Sequence, residues 1–129
     1  MTDGDMRLQR AERLRRAADY RRVFRNGVRA DGRLMSLVIA PGANTHARLG
    51  LAAGRRVGGA VQRNRVKRLV RESFRTESRP AGVDVVVVPK AAMAQSDQAA
   101  VAVEYTKLLE RLRRRLKAVR GARPAAASD

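Results

Sequence analysis

The apolar positions of this chain change period several times, and each change marks an element. Between Ala17 and Arg25, Tyr20, Val23 and Phe24 recur at i, i+3 and i+4, which predicts a short helix with one apolar face. Asn26-Gly27 follows as a left-handed stop. The run Leu34–Ala40 is continuously apolar and ends at Pro41-Gly42, the mark of a buried strand and a turn. Arg48–Ala53 is its expected partner, paired antiparallel across the Pro41–His46 loop.

Helical period returns from Gly59 to Thr76. Val66, Leu69, Val70 and Phe74 fall on one arc of about 140° at 100° per residue, the face expected to meet a sheet. Val83–Val88, stopped by Pro89, is apolar without alternation, as in a central strand covered on both sides. A last helix opens at Ser96-Asp97, where an acid suits the positive end of the helix dipole. Val101, Tyr105, Leu108, Leu109, Leu112, Leu116 and Val119 then recur to Gly121. Its opposite face carries Arg111, Arg113, Arg114, Arg115, Lys117 and Arg120. The expectation is an α/β sandwich of order α-β-β-β-α-β-α, a small central sheet with helices on it. One domain over residues 1–129 is expected, ordered from about 7 to 120, with flexible tails at 1–8 and 121–129.

Charge changes the picture from fold to function. Lys and Arg number 29 against 12 Asp and Glu, a formal net charge of +17. A polyanion relieves the self-repulsion of so basic a chain. No apolar run reaches the roughly 18–20 residues of a membrane span, and the N-terminus lacks the apolar centre of a secretory signal. Nucleic acid in the cytoplasm is therefore the expected partner, and no membrane. Arginine dominates, 25 against 4 lysines, and guanidinium binds phosphate through paired hydrogen bonds. A GC-rich genome also favours arginine over lysine, but does not account for the net charge. With no cysteine and one histidine, His46 in a polar loop, the chain lacks the parts of a thiolate site, a zinc site or a catalytic triad.

The charge concentrates in residues 55–75, RRVGGAVQRNRVKRLVRESFR, with eight positive residues against one negative. On a helical projection Asn64, Arg68, Arg71 and Arg75 align, Lys67 sits beside them, and Arg63 and Arg65 flank the row near the N-terminus. Arg55 and Arg56 precede it. A row of guanidinium groups on a helix anchored by its apolar side suits a phosphate backbone. Gly58-Gly59 allows a tight turn and close approach of RNA.

Residues 57–75 closely resemble the signature of the bacterial ribonuclease P protein: Arg-Asn-Arg, then Lys-Arg, then Arg-Glu-x-Phe-Arg. Arg13-Leu14, Asp19-Tyr20, Val23-Phe24 and Asn26-Gly27 resemble that family's first-helix motif. Arg48-Leu49-Gly50-Leu51 and Gly82-Val83-Asp84 resemble two of its strands. The resemblance covers about residues 7–118. It implies a protein subunit that binds a catalytic RNA and helps it remove the 5′ leader of precursor tRNA, the RNA doing the chemistry with Mg2+ bound mainly by RNA and substrate. It implies that Arg63, Asn64, Arg65, Lys67, Arg68 and Arg71 face the catalytic RNA, and that Tyr20 and Phe24 belong to a leader-binding cleft between the first helix and the sheet. It also implies a left-handed βαβ crossover, against the general rule. Two departures stand out. Leu34–Ala40 and Leu49–Ala53 contain no aromatic for the sheet side of the cleft, and Gly59 replaces a residue that is polar or basic in the family.

Two rival readings make different demands. A ribosomal or other structural RNA binder shares the charge and the stripe, but not these ordered motifs together. A protein nuclease needs clustered carboxylates or paired acid–base groups, and the acids here are scattered.

Overall fold

Four valines in a row, Val85–Val88, lie at the centre of the molecule. In the computed structural model, which describes residues 10–77 and 79–122 (side chains of 10 and 119–122 excepted), they belong to a seven-residue strand flanked by strands on both sides. The strands are β1 (Val28–Asp31), β2 (Met35–Pro41), β3 (Arg48–Leu51) and β4 (Val83–Pro89). The helices are α1 (Ala17–Asn26), α2 (Ala60–Thr76) and α3 (Gln98–Ala122). The order is the expected α-β-β-β-α-β-α, with short 3-10 turns at Arg10–Glu12, Arg55–Val57 and Ala91–Gln95. The expected tails at 1–8 and 123–129 lie outside the described residues, while 121 and 122 are the last residues of α3.

The sheet runs β1-β2-β4-β3. β2 pairs antiparallel with β1 and with β4, whereas β3 pairs parallel with β4. The expected antiparallel pairing of Leu34–Ala40 with Arg48–Ala53 does not form, because β4 lies between them. The physical reason is burial. A strand apolar on both faces gains most at the centre, where it is covered twice, and Arg48–Leu51 takes the edge. The third strand, Val28–Asp31, pairs Val28 with Ile39 and Asp31 with Ser36.

Alternation along the strands divides the core in two. Leu37, Ile39, Val85, Val87 and Leu49 face α2 and α3, where Val66, Leu69, Val70, Phe74, Val101, Tyr105, Leu109 and Leu112 meet them. The arc expected of α2 is thus its buried face. Val38, Ala40 and Val86 point to the other side and pack with Leu14 and Val23 of the α1 layer. The result is three layers: α1, sheet, α2 with α3.

Local chemistry fixes the joints. Asp97 caps α3, its Oδ1 accepting the Ala100 N–H at 2.8 Å. Gly27 closes α1 in extended conformation rather than the expected left-handed one (φ −84°, ψ 168°). Its need for glycine is steric, since a Cβ there would lie 2.5 Å from the Val23 carbonyl oxygen and 2.6 Å from that of Ile39. Glu104 reaches from α3 to the β1–β2 turn, where its carboxylate accepts the N–H groups of Arg33, Leu34 and Met35 at 2.9, 2.7 and 3.0 Å. One carboxylate satisfies three turn donors.

Candidate nucleic-acid interface

α2 begins from a turn that only glycine adopts readily. Gly58 has φ +132°, and the Gly59 N–H donates to Gln62 Oε1 at 3.0 Å across the first turn. With its apolar arc on the sheet, the helix turns its basic side outward. Asn64 and Arg68 are exposed, and Lys67 and Arg71 half-buried; none of these four makes a side-chain hydrogen bond or ion pair with another described residue. Arg55 and Arg56, on the 3-10 turn before the helix, are exposed in the same way. At 1.5 Å per residue the row from Asn64 to Arg75 is about 16 Å long.

The other basic residues of α2 are already engaged. Arg65 donates from Nε to the Ala94 carbonyl at 3.0 Å and from Nη2 to the Ser96 carbonyl at 2.6 Å, tying α2 to the turn before α3. Arg63 Nη1 donates to the Gly58 carbonyl at 3.2 Å. Arg75 meets Glu72 through Nε and Nη2, the closest contact 2.8 Å, so the end of the row does carry a compensating acid. The open part of the row is Asn64, Lys67, Arg68 and Arg71.

On the opposite face of the sheet, Tyr20 and Phe24 of α1 have parted company. The Tyr20 hydroxyl accepts the Leu51 N–H at 3.0 Å and lies 3.3 Å from the Leu14 carbonyl, which it can donate to. Its ring covers Gly50, where a Cβ would come within 2.9 Å of it. Phe24 is 44% exposed, one helical turn further along. The sheet beneath α1 carries partly buried Ala52 and Val88 beside Val38, Ala40 and Val86, an aliphatic floor as expected from the absence of aromatics.

α1 is locked to that floor by a group that sequence reasoning passed over. Asp84, its side chain 1% exposed, receives Arg48 Nε at 2.9 Å and Arg48 Nη2 at 2.8 Å, and also Arg22 Nη2. Burial pushes the Asp84 carboxyl up, but the hydrogen bonds from Arg48 and Arg22 outweigh it and hold the pKa below its ordinary value. Asp84 raises the pKa of Arg48 in return. Arg22 Nη1 also donates to the Pro41 carbonyl at 2.8 Å, and Asp19 lies 3.5 Å from Arg48 and 3.6 Å from Arg22. The signal available was an acid at the head of a valine strand, opposite an arginine in the next strand.

His46 is exposed, with Nε2 2.8 Å from the Ala11 carbonyl. Among the described residues no three of His, Cys, Asp or Glu come together as a metal site, and no helix is long and apolar enough to cross a membrane. The described residues therefore do not fit a protein-bound Mg2+. The basic side of α3 is largely exposed too, though Arg115 Nη1 donates to the Arg29 carbonyl at 2.6 Å.

The fold and this surface define a class: a small basic α/β protein that holds an arginine-rich helix across a parallel β-α-β unit. Residues 8–113 match the family model of ribonuclease P. The chain belongs to the ribonuclease P protein family, the protein component of the ribonucleoprotein that matures the 5′ end of tRNA. It is 40% identical over 115 residues to the ribonuclease P protein component of Desulfovibrio desulfuricans, covering 84% of this chain and 88% of that one. Identity with the component from Chloroflexus aggregans is 47% over 68 residues, 53% of this chain and half of the other. The solved RNase P protein of Thermotoga maritima superimposes with a TM-score of 0.69 at 31% identity, covering 78% of this chain and 96% of that one. The Staphylococcus aureus RNase P protein shares the fold with a TM-score of 0.71 at 24% identity.

Proposed function

We propose that this chain docks on the catalytic RNA of ribonuclease P through the open row Asn64, Lys67, Arg68 and Arg71, with Arg55 and Arg56 extending it. The groove between α1 and the sheet, bounded by Phe24, then receives the single-stranded 5′ leader of precursor tRNA. The observation that carries the reading is the partition of α2: one face anchored in the core, the other presenting side chains with no partner among the described residues. Arg65, Arg63 and Arg75 support that surface from within the protein, and Tyr20 positions α1. Phe24 offers its ring to an unstacked base, an interaction of roughly 1–3 kcal/mol.

In this reading Mg2+ is held by RNA and substrate, and the polypeptide binds and orients without breaking a bond. Residues 1–129 act as one ribonuclease P protein domain, working on precursor tRNA in the cytoplasm. The test is reconstitution: the purified chain, rigorously free of RNA, leaves precursor tRNA intact, and adding a transcript of the host's catalytic RNA restores cleavage at the mature 5′ end. Cleavage by the protein alone, or no preference for that transcript over unrelated RNA, overturns the reading.

A further inference from the structure

Two arginines at the outer edge of the sheet lie close enough for their charges to interact, and neither has an acidic partner among the described residues. Arg13 precedes α1 in an extended segment that bridges to β3, Arg13 opposite Leu49, with the Leu14 N–H on the Leu49 carbonyl at 2.9 Å. Leu14 packs on the α1 side of the sheet. Alternation then sends Arg13 to the other side, beside Leu49 and toward α2. Arg71 comes from α2 to the same place. Burial, and after it the charge of Arg13, hold the Arg71 guanidinium below its ordinary pKa.

The Nε of Arg13 is buried and has no hydrogen-bond partner among the described residues. The neighbouring acids are engaged: Glu12 with Arg79, Glu72 with Arg75. A buried donor left unpaired is unfavourable, and two like charges placed together in a partly dry site add to that. One oxyanion offsets these penalties, because it supplies acceptors for the accessible guanidinium N–H groups and the missing negative charge.

We propose that Arg13 and Arg71 form a clasp for one backbone phosphate of RNA at the β3 edge of the sheet, beside the open row of α2. The proposal rests on the RNA-docking reading of α2 and extends that surface to a residue outside the helix. Arg68, one turn before Arg71 and exposed, lies outside the clasp and reports on the row alone.

The experiment measures binding of the full chain to a transcript of the ribonuclease P RNA over a range of salt, comparing Arg13→Met, Arg71→Met, the double variant and Arg68→Met. Methionine keeps an unbranched stem and removes the charge. Arg13→Met weakens binding about ten-fold and flattens the salt slope by roughly 0.7–0.9. The double variant binds more tightly than the two single losses multiplied together would give, because both arms hold one phosphate. Without RNA, Arg13→Met melts no lower than wild type, since a repulsion has gone; a lower Tm assigns Arg13 a structural role and overturns the clasp. In a parallel titration, orthophosphate raises the Tm of wild type but not of Arg13→Met. If orthophosphate does so while Arg13→Met and Arg71→Met leave RNA affinity unchanged, the site takes free phosphate and the RNA clasp is wrong. If Arg68→Met weakens RNA binding and Arg13→Met does not, the clasp fails and the reading of α2 stands. If wild type shows no preference for the transcript, that underlying reading is lost as well.

Discussion

Arg48 grips Asp84 with two parallel hydrogen bonds of 2.9 and 2.8 Å, side by side on neighbouring parallel strands. Arg22 reaches the same carboxylate from α1, so a single acid joins the helix of the proposed leader groove to the central strand. Removing the acid strands two guanidinium groups. Asp84→Asn lowers stability by about 3–5 kcal/mol, measured by urea unfolding near neutral pH.

The same pair sets the acid limb of stability. The pKa of Asp84 in the folded protein lies below the ordinary value of 3.8. Its contribution is therefore fully present above about pH 4 and is lost as pH falls through the lower folded value. A pH series of unfolding free energies shows this as a steepening below pH 4 that Asp84→Asn lacks.

Two arginines three residues apart on α2 should behave oppositely. Arg68→Ala leaves Tm within about a degree, a surface effect, weakens binding to the catalytic RNA and flattens its salt slope by roughly 0.7–0.9. Arg65→Ala cuts the links to Ala94 and Ser96 and lowers stability by about 1–3 kcal/mol. Thermal melts and binding isotherms on both variants separate the roles; a Tm unchanged in Arg65→Ala would refute the structural one.

On α1, Phe24→Ala weakens binding of leader-bearing precursor relative to mature tRNA, by a factor matching about 1–3 kcal/mol, with Tm nearly unchanged. Tyr20→Phe loses the hydroxyl that accepts the Leu51 N–H and lowers stability by about 1 kcal/mol, without altering the preference for precursor. Equal loss for both RNAs in Phe24→Ala would remove it from the groove.

Gly27→Ala places a Cβ against two carbonyl oxygens and destabilises by about 1–3 kcal/mol. Chemical denaturation reads this directly. The left-handed stop expected at Asn26-Gly27 predicts a loss of similar size, so the distinguishing variant is Gly27→D-alanine. That residue relieves a left-handed site but not this one.

Periodicity made α2, β4 and α3 legible, because each buries a long apolar face and side-chain spacing reports burial directly. Val28–Asp31 was not legible: two of its four residues are charged, and its strand state comes from pairing with β2 rather than from its own pattern. The order of strands was misread for a related reason. Adjacency in sequence favours joining residues 34–40 to 48–53, while the sheet is ordered by which strand is apolar on both faces. Within the site, the helical projection located the basic row, yet it cannot tell Arg65 from Arg68. Only the turn that carries the Ala94 and Ser96 carbonyls distinguishes them. Arg13 was legible as part of the first-helix motif but without a role, and its bridge to Leu49 gives it a direction.

The central position of β4 has a consequence for how the chain is made. β3 pairs on its inner side with β4, more than thirty residues later, and the intervening segment is the arginine-rich helix itself. During synthesis that helix is made before β4 and α3 complete the surface it lies against, so its valines, its leucine and its phenylalanine are not yet fully covered. Delivery of residues 83–89 joins β3 to the β1–β2 pair, and the turn and helix that follow it complete the anchorage of α2.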